Sequence, residues 1–229
     1  MYEKQLPALR DCGLFTGLTD QQILDLIPCF GVRISQYGKN DCVAVAGDEQ
    51  SVFGVVIEGQ VQVQNEDYAG DRLILGIFGP GEVFGEVPVF AGATHWPNSV
   101  IATQNSEVMF IPYHKISEPC CRVCHSHRLL IANMLRIVAR KTLVMNSRIN
   151  YLKLRGMREK LAAYLFEQSR QAGSQTFMIP MNREQLADYL NVSRPSMSRE
   201  LGRMRDEGVI DFFRSSFTLK DITALRKMR

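Results

Sequence analysis

The spacing of apolar residues changes period several times along the chain, and each change marks an element boundary. In residues 1–30 the pattern is helical with breaks. Leu6-Pro7 precedes Leu9 and Leu14-Phe15, and residues 19–27 predict a capped amphipathic helix stopped by Pro28. Residues 31–112 switch to short β-rich runs separated by recurrent glycines. The runs are residues 42–46, 52–57, 61–64, 73–78, 99–102 and 107–111. Val61 and Val63 alternate with Gln62 and Gln64, as in a strand with one buried face. Short strands at regular spacing with glycine turns predict a β-sandwich or small barrel. No Gly-x-Gly-x-x-Gly stands between a strand and a helix, which argues against a dinucleotide fold.

From about Ser126 the period becomes helical again. Ile131, Leu135, Val138, Thr142, Met145, Ile149 and Leu152 are spaced 4-3-4-3-4-3, the seam of a coiled coil. The other reading is one amphipathic helix packed on its own domain. Residues 155–171 predict a further amphipathic helix, ended by Ala172-Gly173-Ser174. Residues 177–179 predict a short strand. Residues 209–213 and 217–219 flank Arg214-Ser215-Ser216 as a β-hairpin, and Asp221 caps a last short helix.

Residues 182–208 hold the most informative pattern. Asn182 and Gln185 form a capping-box pair, and Leu186, Ala187 and Leu190 make one apolar face. Asn191 tolerates the left-handed conformation that ends a helix. Ser193 caps a second helix, Pro195 falls inside its first turn, Met197, Leu201 and Met204 line its core face, and Gly208 stops it. This is a helix-turn-helix pattern, and the hairpin after it supplies a wing. Arg194, Ser196, Ser198 and Arg199 open the second helix. Short polar and basic side chains there are those that read base edges and phosphates when a helix enters a major groove. The bland reading is an αα-hairpin with a solvated polar face.

Charge separates the two readings. Residues 1–150 carry 12 Lys/Arg and 15 Asp/Glu, a net of −3; residues 151–229 carry 15 and 9, a net of +6. Positive charge concentrates around the helix-turn-helix, as expected of a nucleic-acid domain joined to something else. A helix-turn-helix protein commonly needs a partner to span two half-sites, which favours the seam reading of the long helix. Hydrophobic content of 45% and charged content of 22% are ordinary for a globular protein. With no secretory pattern and no apolar run of membrane-span length, a cytoplasmic location without membrane attachment is expected.

Together these features resemble the Crp/Fnr family of bacterial transcription regulators. The resemblance rests on Tyr37-Gly38-Lys39, Gly47-Asp48, residues 56–63, residues 78–86 (Phe-Gly-Pro-Gly-Glu-Val-Phe-Gly-Glu) and residues 182–208. It implies an α+β fold: an effector-sensing, cupin-like β-roll (double-stranded β-helix) over residues 1–125, a dimerisation helix over 126–152, and a winged helix-turn-helix over 153–229. It also implies a homodimer on palindromic double-stranded DNA, an effector acting through the roll, and RNA polymerase as a partner. Arg199 matches the family's guanine-reading Arg, whereas Pro195 stands where the family often has Glu. The expected DNA contacts are Ser193, Arg194, Ser196, Ser198, Arg199, Arg203 and, in the wing, Arg214.

The chain departs from the cyclic-nucleotide branch at one place. There, Gly-Glu is followed about ten residues later by Arg-Ser, which hold the cyclic phosphate. Gly85-Glu86 match, but His95-Trp96-Pro97-Asn98 follow. Trp and Pro offer neither positive charge nor hydroxyl to a phosphate, so no cyclic nucleotide is expected. Glu86, His95 and Trp96 are candidate residues of a different effector pocket, or packed core. The iron–sulfur branch's closely spaced N-terminal cysteines are absent. Cys120-Cys121-Arg122-Val123-Cys124-His125-Ser126-His127 is open to several readings: a metal site, a redox sensor, haem ligation by a His, or a tight turn of buried thiols. Catalysis is not expected. A cupin-type metal enzyme needs several His on facing strands, and only His95 falls in the β region. The remaining alternative is a ligand-binding β-roll interaction module without DNA binding, which leaves the basic C-terminal third unexplained.

Overall fold

The computed structural model describes residues 2–66, 72–118 and 125–228, excepting the side chains of Glu66, Arg72, His125, Ser147, Arg148 and Leu152. The chain divides into two compact units: Met1–Asp71 with Leu75–Thr142, and Arg72–Ile74 with Leu143–Arg229.

The first unit opens with α1 (Leu6–Asp11), a 3-10 turn (Gly13–Phe15) and α2 (Asp20–Phe30). Thr19 and Gln22 form a reciprocal capping box at the start of α2. Contrary to the sequence expectation, α2 does not stop at Pro28. It continues to Phe30 and ends at Gly31, whose φ is 60°. A proline inside a helix costs about 3 kcal/mol. Burying Phe30 beyond it, worth roughly 1.5–3 kcal/mol, offsets much of that.

Next come β1 (Arg33–Tyr37), β2 (Cys42–Ala44), β3 (Val52–Glu58), β4 (Val61–Glu66), β5 (Arg72–Phe78), β6 (Val83–Phe84), α3 (Glu86–Phe90), β7 (Ser99–Ala102), β8 (Ser106–Pro112) and α4 (His114–Ser117). They form two four-stranded sheets, β1-β8-β3-β6 and β2-β7-β4-β5, in keeping with the sandwich or small barrel that the glycine-punctuated runs predict and the β-roll that the resemblance implies. Strand alternation sorts the core into two layers. Phe53, Val55 and Ile57 of β3, with Met109 and Ile111 of β8, face α1, α2 and the long helix. Val56, Val108 and Phe110 face inward, joining Val61, Phe84, Trp96 and Val100. Gly54 is required inside the roll, because a Cβ there would lie 2.2 Å from the Phe84 ring.

The long helix α5 (His125–Lys153) continues from the first unit into the second. Leu130 and Met134 are buried in the first unit's core, with Ile137 and Val138 packed partly against it. Ile131, Leu135, Met145 and Ile149 instead face solvent, between 39% and 67% exposed. The predicted seam is thus a solvent-facing apolar stripe, although Val138 belongs partly to the core and the Leu152 side chain lies outside the described residues.

The second unit contains α6 (Met157–Ala172), β9 (Thr176–Met178), α7 (Arg183–Leu190), α8 (Arg194–Asp206), β10 (Ile210–Phe213), β11 (Ser216–Leu219) and α9 (Ile222–Lys227). The strands form one antiparallel sheet in the order β10-β11-β9. α6 packs on α8, α9, β9 and β11. Leu161, Leu165, Leu186, Ala187, Leu190, Met197, Leu201, Met204 and Phe217 are all buried. Among the described residues, no helix is long and apolar enough to cross a membrane.

Candidate functional site

The helix-turn-helix forms as its sequence dictates. Asn182 Oδ1 accepts from Gln185 N at 2.9 Å, and Gln185 Oε1 accepts from Asn182 N at 2.8 Å. Asn191 adopts φ 51° and ψ 62°, turning the chain, and Val192 N closes the turn on Ala187 O at 2.9 Å. Ser193 is the N-cap of α8, yet its side chain makes no capping hydrogen bond. Pro195 has no N–H and Met197 N donates to Ser193 O at 2.9 Å, so the first-turn amides left to meet an anion are those of Arg194 and Ser196.

Ser193, Arg194, Ser198 and Arg199 are exposed and Ser196 is half-buried, while Met197, Leu201 and Met204 face the core. One helix thus presents a polar, basic face opposite its anchor. Arg199 Nη2 donates to Ser196 Oγ at 3.2 Å, which holds the guanidinium along the exposed face. Arg194 lies 4.0 Å from Glu184, both well exposed, so the pairing is weak. Arg203 reaches Glu200 at 3.4 Å.

Two side chains that the sequence reading did not single out set this face in place. Arg158 of α6 donates from Nε to Glu200 at 2.5 Å, and from Nη1 and Nη2 to Glu207 at 2.9 and 2.7 Å. These bonds hold the Glu207 carboxyl below its ordinary range and push the Arg158 guanidinium up, toward Glu207 first and Glu200 second. The available signal was Glu200 and Glu207, seven residues apart on one side of α8. Arg183, the first residue of α7, lies 4.7 Å from the Phe212 ring centroid and 4.6 Å from that of Phe217. Burial pulls its guanidinium pKa down. Arg205 sits 5.2 Å from the Phe212 ring, so both helices grip the hairpin through one aromatic. In the hairpin turn, Arg214 is left-handed (φ 53°) and exposed.

In the β-roll, the three candidate pocket residues separate. Glu86 is fully buried, and the Trp96 ring lies over Gly85, where a Cβ would come within 2.5 Å of it. Trp96 also packs on Phe84, with ring centroids 6.3 Å apart. His95 is exposed, its Nδ1 2.9 Å from the Thr94 hydroxyl, and is not brought to Glu86. The reason is alternation: His95 and Trp96 are neighbours on an extended segment and point to opposite sides. The group that does reach Glu86 is Lys141 of α5, with Nζ 2.6 Å from Oε1.

Cys120, Cys121, Cys124 and the His125 side chain lie outside the described residues. His127 beside them is buried, and its Nε2 donates to Ile116 O at 3.1 Å. Among the described residues no group of three or more His, Cys, Asp or Glu is arranged to hold a metal ion. Burial pushes the Cys12 thiol up to about 12, so it stays protonated.

Known proteins carry the same two units. Residues 34–120 match the cyclic nucleotide-binding domain, and residues 159–228 match the Crp-like helix-turn-helix domain. The chain belongs to the Crp/Fnr family of transcription regulators. This Crp/Fnr member is 24% identical over 202 residues to the cyclic AMP receptor protein of Thermus thermophilus, covering 88% of this chain and 89% of the other. It is 23% identical over 195 residues to the fumarate and nitrate reduction regulatory protein of Escherichia coli, covering 83% and 76%. The structure of a CooA mutant from Carboxydothermus hydrogenoformans matches with a TM-score of 0.71 at 18% identity, covering 92% and 90%, a likeness of fold.

Proposed function

We propose that this Crp/Fnr member binds a palindromic operator as a cytoplasmic homodimer, pairing through the exposed stripe of α5. The N-terminal turns of α8 enter the major groove. Arg194 and Arg199 read base edges, Ser193, Ser196 and Ser198 support base or phosphate contacts, and Arg203 and Arg214 bind phosphates. The observation that carries this reading is the exposed basic face of α8, with Arg199 held by Ser196 and no acidic residue in the first turn. The β-roll is the sensing part, and RNA polymerase is the partner that reads the outcome. The wild-type chain should sediment as a dimer and select a palindrome from a random duplex pool. Selection of an asymmetric sequence by a monomer, or no selection, rejects the reading.

A further inference from the structure

A buried carboxylate inside the β-roll is met by an ammonium from the long helix. Glu86 follows Gly85 at the start of α3 and is fully buried. Neither of its oxygens is met at hydrogen-bonding geometry. Lys141 Nζ lies 2.6 Å from Oε1, donates to Val83 O at 2.5 Å, and stands 4.5 Å from the Phe78 ring centroid. One ammonium therefore meets a buried carboxylate, a backbone carbonyl and an aromatic face, all within the first unit. A fully buried carboxylate paired with a single ammonium is strongly destabilised when its partner leaves. Lys141 stands on α5 one residue before the last residue of the first unit, Thr142, and α5 runs on unbroken into the second.

We propose that Lys141 is a positioning residue for DNA recognition. Its ion pair with Glu86 fixes the register and direction of α5 on the β-roll. This rests on the reading of the chain as a dimer on a palindrome. Two DNA-binding units meet one palindrome simultaneously only if the elements carrying them are ordered. A looser α5 lowers the effective concentration of the second unit without touching the first. Loss of the pair therefore weakens binding to a full palindrome and spares binding to one half-site.

The test uses the full chain above its dimer dissociation constant, the palindromic duplex selected by the wild type, and the same duplex with one half-site scrambled. Lys141→Met should weaken binding to the palindrome at least tenfold and change half-site binding by less than twofold. Lys141→Arg, which keeps the charge, should restore most of the loss. Glu86→Gln should match Lys141→Met, and the double variant should be no worse than either single. The double variant also leaves no lone buried charge, so it serves if Lys141→Met melts early. The inference is overturned if the double variant binds the palindrome within twofold of wild type, or loses both duplexes equally. A wild type that does not distinguish the two duplexes sinks the dimer-on-palindrome reading instead, before any variant is tested.

Discussion

At the scale of single residues, Arg199 and Arg214 should behave differently because they meet different parts of the duplex. Arg199 is held along the exposed face of α8. Its replacement by Ala should weaken binding by about 1–3 kcal/mol per half-site and relax preference at one base pair. Arg214→Ala should weaken all sequences alike and lower the salt slope by about one unit. Titration on single-base operator variants at two salt concentrations separates them; a uniform loss for Arg199→Ala would make it a phosphate clamp. Glu207 makes a second residue-level prediction. Its bonds with Arg158 hold its folded pKa below the ordinary 4.5. A depressed carboxylate contributes stability that is fully present above 4.5 and is lost as pH falls through the lowered value. Glu207→Gln should therefore flatten part of the stability loss below about pH 4.5 and leave its shape near neutrality unchanged. Thermal melts from pH 3 to 7 measure this, and an unchanged acid limb would show that the bond adds nothing net in solution.

At the scale of elements, the exposed stripe on α5 carries the next prediction. Ile131→Asp with Leu135→Asp places two carboxylates on the proposed dimer seam, which should cost the dimer several kcal/mol. Sedimentation should show the dimer dissociating; an intact dimer would mean that the stripe faces something else. The spacing of this helix, the helix-turn-helix with its caps, and the wing were all legible in the sequence. Each depends on periodicity and capping that act within a few residues. What could not be read depends on partners distant in sequence. β6 is two residues long and exists only by pairing with β3. α2 outruns Pro28 because Phe30, two residues on, is buried in the core. Arg158 gains its role from acids 42 and 49 residues away. Lys141 read as a flanking charge on a seam, and only the fold turns it 55 residues back to Glu86.

At the scale of the whole molecule, the chain joins a β-roll to a helix-turn-helix unit, and Val56, Phe84, Trp96 and Phe110 pack inside the roll. Cyclic AMP should neither bind measurably nor change operator affinity, because by the family resemblance Trp96 and Pro97 stand where the cyclic-nucleotide branch has its Arg-Ser, and they offer a phosphate neither positive charge nor hydroxyl. Calorimetry showing micromolar binding would overturn this. The packing of Trp96 over Gly85 also suggests a way to engineer control. Truncating Trp96 to Ala should destabilise the protein by about 3–5 kcal/mol and leave a void shaped like the lost ring, walled by Phe84 and the Gly85 backbone. Dry apolar voids of this kind accept small aromatic molecules. Indole should then raise the melting temperature of Trp96→Ala and leave wild type unmoved. The missing side chain would have become a reagent added from a bottle, and a regulator with a plugged interior would answer to a chosen small molecule.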